Sequence, residues 1–269
     1  MKPADISSSA EVKQCCANLY ESGIAKLLLG ESFHPAGLKL TQRLGQLLEL
    51  GPHSRILDVA SGNGTSAFSL AENFGCSVIG VDYGKHNVET ANAAAAKREI
   101  SSRLCFKQAD AEQLPFADSS FDAVICECAF CTFPDKAQAR REFARVLRLG
   151  GVVGISDLTR SGELSKELDG LLAWIACIAD ALPLEKYQQS FSSAGLVSRV
   201  TESHDEALLE MVHEVQAKLL SVEVMKGLKK IDLPGIDLTA AKRMAKAALA
   251  TIQSGQIGYA IITAEKPRL

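Results

Sequence analysis

A glycine-rich turn and the acids around it carry the clearest chemistry in the sequence. The turn spans residues 58–64 (DVASGNG) and follows a short apolar run. Glycine permits a tight turn and lets a ligand approach the backbone closely. Asp82 and Asp110 each follow a later apolar run. If these runs are parallel strands, Asp58, Asp82 and Asp110 meet at the edge of the sheet where ligands bind. The sequence therefore predicts a cofactor pocket lined with carboxylates.

Two cofactors fit a turn of this kind. The turn matches the dinucleotide pattern G-x-G-x-x-A, and Asp82 lies near the spacing of about 20 residues expected of an acid that binds the ribose. However, Asp58 would repel a pyrophosphate beside it, whereas it would attract a cation. S-adenosylmethionine carries an amino group and a sulfonium but no phosphate. It suits this site better, with Asp82 for the ribose hydroxyls and Asp110 for the adenine amino group. An NAD-dependent oxidoreductase remains the alternative.

The eight cysteines are unevenly distributed. Cys126, Cys128 and Cys131 crowd together where the fourth predicted strand ends, which places them at the rim of the same pocket. If the strand continues to residue 128, Cys126 and Cys128 point to one side. If the chain then turns helically, Cys128 and Cys131 share a face. Cys76 and Cys105 are expected in the core, since a free cysteine is a good small apolar side chain.

Short apolar runs alternate with helical patterns through the rest of the chain. Strands are expected at residues 55–60, 77–82, 103–107, 121–126, 151–157, 197–203 and 257–264, and helices at 10–29, 36–50, 65–74, 85–97, 135–148, 164–194 and within 204–254. This alternation predicts an α/β fold with a parallel sheet that helices cover on both faces. Residues 1–50 are expected to form a helical lid and residues 51–203 the cofactor-binding core. Residues 204–269 would add a helical insertion and the final strand.

Four segments together resemble the class I S-adenosylmethionine-dependent methyltransferases. They are residues 56–64 (ILDVASGNG), 78–84 (VIGVDYG), 109–126 (ADAEQLPFADSSFDAVIC) and 142–157 (EFARVLRLGGVVGISD). The resemblance covers roughly residues 50–200. It implies a doubly wound, mostly parallel seven-stranded sheet, the Rossmann-like methyltransferase fold, whose last strand is antiparallel. The cofactor-binding residues that it implies are Asp58, Ala60, Gly62, Gly64, Asp82, Tyr83, Asp110, Ala111, Glu112 and Cys126.

A finer resemblance concerns the cysteines. Residues 128–136 (CAFCTFPDK), with residues 177–181 (CIADA) and Tyr187 downstream, are similar to arsenite methyltransferases. The resemblance implies that Cys128 and Cys177 bind arsenic. The cysteine that this family has just after the glycine turn is missing here, where residues 66–68 read SAF. Cys131, Cys126 or the Cys15-Cys16 pair would have to replace it. Adjacent helical residues point about 100° apart, so Cys15 and Cys16 cannot easily face one site together.

The chemistry of such a site is coherent. As(III) is a soft centre that prefers thiolate ligands. Held by two or three sulfurs, it would attack the sulfonium methyl group with its own lone pair, so catalysis would be mainly positioning and desolvation. No general base is needed, because this nucleophile carries no proton. The predicted function is methyl transfer to a thiophilic acceptor, As(III) above others. The catalytic residues would be Cys128, Cys177, Cys131 and Cys126, with Cys128 and Cys177 as metalloid ligands.

Other interpretations of the cysteines stand beside this one. A structural zinc site would use four of them, but C-x-C-x-x-C lacks the paired C-x-x-C spacing. The cysteines could also be buried residues that merely line the pocket. A small-molecule O- or C-methyltransferase, similar to those of quinone biosynthesis, would then be expected. The last alternative is a metal- or metalloid-binding protein without transfer activity.

Composition limits the partners. The chain has 29 Lys and Arg against 32 Asp and Glu, a net charge of −3, which gives no electrostatic case for nucleic acid or an anionic membrane. The N-terminal residues lack a secretory pattern, and no apolar run reaches the roughly 18 residues of a membrane span. A cytoplasmic enzyme with a small-molecule or metalloid acceptor is therefore expected.

Overall fold

The computed structural model describes residues 8–20, 30, 34–162, 168, 178, 180–227 and 237–268. Within them the helices are α1 (Ser9–Tyr20), α2 (Leu38–Leu47), α3 (Thr65–Phe74), α4 (Lys85–Ala95), α5 (Lys136–Val146), α6 (Leu184–Ser192), α7 (Asp205–Gly227) and α8 (Leu238–Gln253). The strands are β1 (Arg55–Val59), β2 (Ser77–Asp82), β3 (Leu104–Gln108), β4 (Phe121–Glu127), β5 (Leu147–Arg160), β6 (Val197–Ser203) and β7 (Ile257–Glu265).

These strands form one seven-stranded sheet in the order β3-β2-β1-β4-β5-β7-β6. The strands β1 to β5 pair in parallel, whereas β7 runs antiparallel to both β5 and β6. Helices cover both faces, and the two faces carry separate apolar clusters. The predicted fold class, a doubly wound seven-stranded sheet with an antiparallel last strand, is confirmed.

The topology fixes where a ligand can bind. The strand order reverses between β1 and β4, and ligands of open α/β sheets bind at such a switch point, outside the carboxyl ends of the strands. Asp58 in β1 is in register with Gly80 of β2 and Ile125 of β4. Asp82 and Glu127, the last residues of β2 and β4, therefore lie at the same edge of the sheet as Asp58.

The N-terminal helices pack onto this framework. Val12 of α1 and Leu44 of α2 are fully buried in the apolar cluster that covers one face of the sheet. The absence of a side chain at Gly154 in β5 makes room for α2, because a Cβ atom there would lie 2.6 Å from Leu44 Cδ1. The helix predicted for residues 10–29 is present to Tyr20, and residues 21–29 lie outside the described residues.

Several sequence expectations need adjustment. The strand β5 begins at Leu147, directly after α5, and is longer than the predicted 151–157. Of the helix predicted at 164–194, the described part contains α6; most of residues 163–179 lies outside it. Cys76 is buried as expected, but Cys105 is exposed. Cys105 alternates with buried Leu104 and Phe106 on β3, so its side chain points away from the core at the edge strand.

Candidate active site

A cleft of about 990 Å³ opens at the switch point. Its lining residues come from α1, the segment before α2, the glycine turn, and the ends of β2 and β4. They are Lys13, Cys16, Ala17, His34, Asp58, Ala60, Ser61, Gly62, Asn63, Thr65, Ser66, Asp82, Tyr83, Asn87, Glu127, Cys128, Ala129, Thr132 and Phe133. A second cavity of about 320 Å³ shares five of these residues and adds Val59, Val81, Ala109, Asp110 and Ala111. The two cavities thus share one wall, and together they collect most of the predicted cofactor-binding residues.

Asp58 is the most deeply buried acid of the cleft. Its side chain lies on β1 with 2% exposure, and its Oδ2 atom has no hydrogen-bond partner in the described structure. Burial raises the pKa of Asp58 well above its usual value, and the negative charges of Glu127 and Asp82 raise it further. A buried acceptor without a donor is costly, so this oxygen is set up for a cationic donor supplied by a ligand.

Asp82 is held in place by backbone and side-chain donors. The backbone N–H groups of Gly62 and Gly84 donate to its two oxygens at 2.8 Å each, and Asn87 Nδ2 donates at 3.2 Å. Asp82 therefore ties the glycine turn to the end of β2, where its carboxylate lines both cavities.

The glycine turn keeps its shape through backbone freedom that other residues lack. Gly62 and Gly64 have φ values of 54° and 85°, in the left-handed region that favours glycine. Gly64 does not line the cleft. A Cβ atom on it would lie 2.6 Å from the Phe106 ring, so its role is to let α3 begin close to the sheet. Ala60 has a φ of 59° and faces both cavities.

The third acid region is bridged by α1. Lys13 Nζ lies 2.7 Å from Asp110 Oδ2 and 2.5 Å from Glu112 Oε2. Burial opposes the charge on Lys13, but the hydrogen bonds that Lys13 donates to both carboxylates outweigh this effect and raise the lysine pKa. Asp110 and Ala111 line the second cavity. Glu112 is not among the lining residues, and its other oxygen accepts from the backbone of Asp135 at 2.7 Å.

The structure separates the cysteines that the sequence grouped. The strand β4 ends at Glu127, and Cys128 has a φ of 51°, so strand alternation stops before it. Cys126 therefore packs into the cluster on one face of the sheet, while Cys128 packs against the other. Cys128 lines the cleft, but Cys126 is fully buried and does not reach it. Desolvation raises the pKa of the Cys126 thiol well above its ordinary value, which keeps it protonated.

Cys131 is also outside the cleft. It is fully buried, and its backbone N–H donates to Asp157 Oδ2 at 2.7 Å. From the N-terminal pair, Cys16 lines the cleft, and desolvation followed by the charge of Cys15 raises its pKa to about 12. Cys177 lies outside the described residues. In the part of the chain that the structure describes, no group of three or more His, Cys, Asp or Glu residues could hold a metal ion.

A polar cluster around Glu127 was not predicted. The Glu127 side chain is 4% exposed, yet it lines the cleft. Thr41 Oγ1 donates to Glu127 Oε2 at 3.0 Å, Ser156 Oγ donates to Oε1 at 3.4 Å, and His34 Nε2 lies 3.7 Å from Oε2. Tyr259 OH in turn donates to Ser156 Oγ at 3.1 Å. The sequence signal was an acid at the end of an otherwise apolar strand, but its partners come from distant segments.

Comparison with known proteins identifies the fold and its use. The methyltransferase domain family matches residues 50–226 of the chain. The chain belongs to this family. Over 235 residues this methyltransferase is 28% identical to 27-O-demethylrifamycin SV methyltransferase of Amycolatopsis mediterranei, covering 86% of this chain and 84% of that protein.

Solved methyltransferases share its fold. Phosphoethanolamine N-methyltransferase 2 of Haemonchus contortus, in complex with S-adenosylhomocysteine, superposes with a TM-score of 0.80 at 20% identity and covers 98% of this chain and 61% of that one. Geranyl diphosphate C-methyltransferase of Streptomyces coelicolor A3(2), also with S-adenosylhomocysteine, gives 0.68 at 18% identity over 98% and 86%. The names of the three proteins place the methyl group on oxygen, nitrogen and carbon. Family membership therefore leaves the acceptor atom open.

The cofactor of this methyltransferase is S-adenosylmethionine, which settles the choice between the two cofactors considered from the sequence. The residues at the switch point fit it: among the described residues, none donates to the buried Asp58 Oδ2, which an amino group would satisfy, and the Asp82 carboxylate lines the cleft at the end of β2. When bound, this cofactor supplies an electrophilic methyl group on a sulfonium. The chain's own residues must bind the cofactor, orient the acceptor and exclude water from the cleft.

Proposed function

We propose that this methyltransferase transfers its methyl group to an oxygen or carbon atom of a small organic acceptor. The single observation that carries the proposal is the wall of the cleft at the end of β4. There the buried carboxylate of Glu127 faces the cleft, beside the apolar surface of Ala129 and Phe133. Such a surface suits an organic molecule with one proton to lose. The rifamycin methyltransferase relative, similar along most of the chain, supports the same class of acceptor.

As(III), the acceptor favoured from the sequence, has weaker support. An arsenite site needs two or three thiolates pointing to one place. Among the described residues only Cys16 and Cys128 line the cleft, and the raised pKa of Cys16 keeps it a thiol. Cys126 and Cys131 are buried away from it. The cysteines that face the cleft are better explained as part of its apolar wall.

The N-terminal segment is part of the proposed machinery. Helix α1 contributes Lys13, Cys16 and Ala17 to the lining, and His34 precedes α2 in the same wall. The segment thus covers the cofactor and acceptor regions together. We propose that it acts as a lid over the core. In the described part of the chain, no helix is long and apolar enough to cross a membrane.

A labelled-transfer experiment tests the proposed function. The protein is incubated with methyl-labelled S-adenosylmethionine and a panel of hydroquinone, 4-nitrocatechol, a macrocyclic polyketide alcohol, As(III) and a small thiol. We expect label in an O- or C-methylated organic product. We also expect Cys128→Ser to retain most of the transfer, because its sulfur would only line the cleft. Label on arsenic, abolished by Cys128→Ser, would overturn the proposal in favour of the metalloid hypothesis.

A further inference from the structure

We propose that Glu127 is the catalytic base of this enzyme and takes the proton from the acceptor hydroxyl as the methyl group is transferred. The inference rests on the proposed function and deepens it, because it makes the acceptor a protic group that is not ionised beforehand. Glu127 lies at the carboxyl end of β4, in the wall of the cleft next to Cys128 and Ala129.

Among the described residues, hydroxyl groups donate to both oxygens of the carboxylate. Thr41 donates to one oxygen and Ser156 to the other, and Tyr259 orients Ser156. Two donors use about half of the acceptor positions of a carboxylate, so each oxygen can also accept a hydrogen bond from the hydroxyl of an acceptor molecule. Thr41 is itself fully buried, which fixes the direction in which the carboxylate points.

His34 supports the same group from the other side. Its Nε2 atom lies 3.4 Å from Thr41 Oγ1 and 3.7 Å from Glu127 Oε2, and the ring is buried. His34 Nδ1 lies 3.3 Å from the Pro35 carbonyl oxygen, which can only accept, so a neutral ring donates from Nδ1 and presents Nε2 as an acceptor. The ring therefore restrains Thr41 and Glu127 by packing against both side chains. His34 and Thr41 are positioning residues in this scheme.

The hydrogen-bond donors around Asp58, Asp82 and Glu127 indicate a different role for each acid. Among the described residues, none donates to the buried Oδ2 of Asp58, which suits a cationic ligand group, whereas both oxygens of Glu127 already have donors. Asp82 is tied to the glycine turn. Glu127 is therefore the carboxylate of the cleft left for proton transfer.

The reaction balances without another reactant. The acceptor O–H bond breaks and its proton forms a bond to a Glu127 oxygen. The freed oxygen electron pair forms the bond to the methyl carbon, and the methyl–sulfur bond breaks with its electrons retained by sulfur. The cationic sulfonium becomes a neutral thioether, the negative carboxylate becomes a neutral acid, and the proton leaves to solvent when the products depart.

The test compares Glu127→Gln with the control Cys105→Ser, at an exposed cysteine of β3 that lines neither cavity. With un-ionised hydroquinone or the polyketide alcohol, we expect Glu127→Gln to lower kcat by about 100-fold or more, as loss of a general base does. With 4-nitrocatechol, transfer to the oxygen para to the nitro group, which is already ionised at the assay pH, should fall by less than about tenfold, since that oxygen has no proton left to remove. Cys105→Ser should change both by less than about threefold, as expected of a surface substitution. Thr41→Val should show a milder form of the same selectivity.

Binding gives a readout that does not depend on turnover. The visible absorption of 4-nitrocatechol, titrated in the presence of S-adenosylhomocysteine, shows whether it binds as the phenol or the phenolate. The wild type should favour the phenol, and Glu127→Gln should bind the phenolate several-fold more tightly, because the like charge is gone. The Kd for S-adenosylmethionine should stay within about threefold.

The outcomes separate the two proposals. Equal losses of kcat for ionised and un-ionised acceptors, or a large rise in the cofactor Kd in Glu127→Gln, would show that Glu127 is structural or binds the cofactor. Failure of every hydroxyl probe to bind the wild type would also overturn the inference. Transfer of label to arsenic instead of oxygen or carbon would overturn the proposed function, methyl transfer to a small organic acceptor.

Discussion

Asp58 is the residue at which burial and function conflict most clearly. Its carboxyl has 2% exposure, and one oxygen accepts from no donor among the described residues; this weakens the free protein, because desolvation and two neighbouring acids disfavour its charge. Such a cost is common where a site is organised in advance for a ligand. The bound cofactor would place a positive charge beside Asp58 and so offset this cost. Cofactor affinity and free-protein stability are therefore expected to respond to Asp58 in opposite directions.

Replacing Asp58 with Asn tests this opposition. The amide keeps the shape but removes the charge, and a hydrogen bond to a charged group contributes about 1.5–3 kcal/mol, or roughly 10- to 100-fold in Kd. Calorimetric titration should show that loss of S-adenosylmethionine affinity. Urea unfolding at pH 7 should show that the free variant is no less stable than the wild type. An unchanged Kd would mean that the amino group binds elsewhere.

Among the elements, helix α1 is joined to the residues after β3 by the ion pairs of Lys13. Lys13 crosses from α1 to two acids that follow β3, and it lines both cavities. Val12 beside it is buried in the core, so the helix is anchored by packing and aligned by the ion pair. The pair holds α1 over the second cavity, where the sequence predicts that the adenine binds, and its loss should loosen α1 without unfolding the domain.

The variant Lys13→Met keeps an apolar stem and removes the charge. Because Asp110 is about a third exposed, the pair is worth only on the order of 1 kcal/mol, or roughly fivefold. We expect cofactor dissociation, followed by stopped-flow displacement, to accelerate by that factor, and hydrogen exchange in residues 9–20 to increase. Lys85→Met, at an exposed lysine that pairs only within α4, is the matched control. If the cofactor dissociates at the same rate from both variants, the ion pair of Lys13 does not slow cofactor release.

A second element is positioned by Asp157 on β5. Its oxygens accept from the backbone of Cys131 at 2.7 Å and of Leu158 at 2.8 Å, which fixes the short helix Phe130–Thr132 against the sheet. Burial raises the pKa of Asp157 from 3.8 to about 6, with hydrogen bonds from Cys131 opposing the rise. The folded state thus binds this proton more tightly than the unfolded state. The resulting stabilisation is complete below about pH 4 and is lost as the pH rises through about 6.

Asp157→Asn should remove that pH dependence. A shift of this size corresponds to about 3 kcal/mol across the transition. The unfolding free energy of the wild type, measured in urea at several pH values, should therefore fall relative to that of the variant by about this amount between pH 4 and pH 7. Asp58 acts in the same direction but is present in both proteins. Parallel curves would show that Asp157 stays ionised throughout.

Across the whole molecule, features that depend on local sequence pattern could be predicted from the sequence. Contacts between segments that are distant in the sequence could not. The strands and the glycine turn follow from apolar runs and backbone freedom, and the positions of Asp58 and Asp82 follow from strand ends. The donors to Glu127 come from α2 and β5, and the tyrosine that donates to Ser156 comes from β7; no spacing brings them together. The separation of Cys126 from Cys128 depended on one left-handed residue.

The last strand joins the site to the stability of the fold. Although β7 follows every predicted site residue in the sequence, it lies between β5 and β6 and carries Tyr259 toward Ser156 and Glu127. Its neighbours Ile261 and Ile262 are both fully buried but belong to clusters on opposite faces of the sheet. One strand therefore supports both layers of helices.

Truncation on either face of β7 should accordingly weaken the whole domain. Ile261→Ala and Ile262→Ala each remove a buried side chain that helices cover, and such changes cost about 2–5 kcal/mol. Val200→Ala on the edge strand β6, at a side chain 37% exposed, should cost less than about 1 kcal/mol. Urea unfolding followed by circular dichroism, with cofactor binding as the second probe, measures both. Because β7 links the two layers, fold and binding should be lost in one transition. Separate transitions would show that the C-terminal part folds independently of the cofactor-binding core.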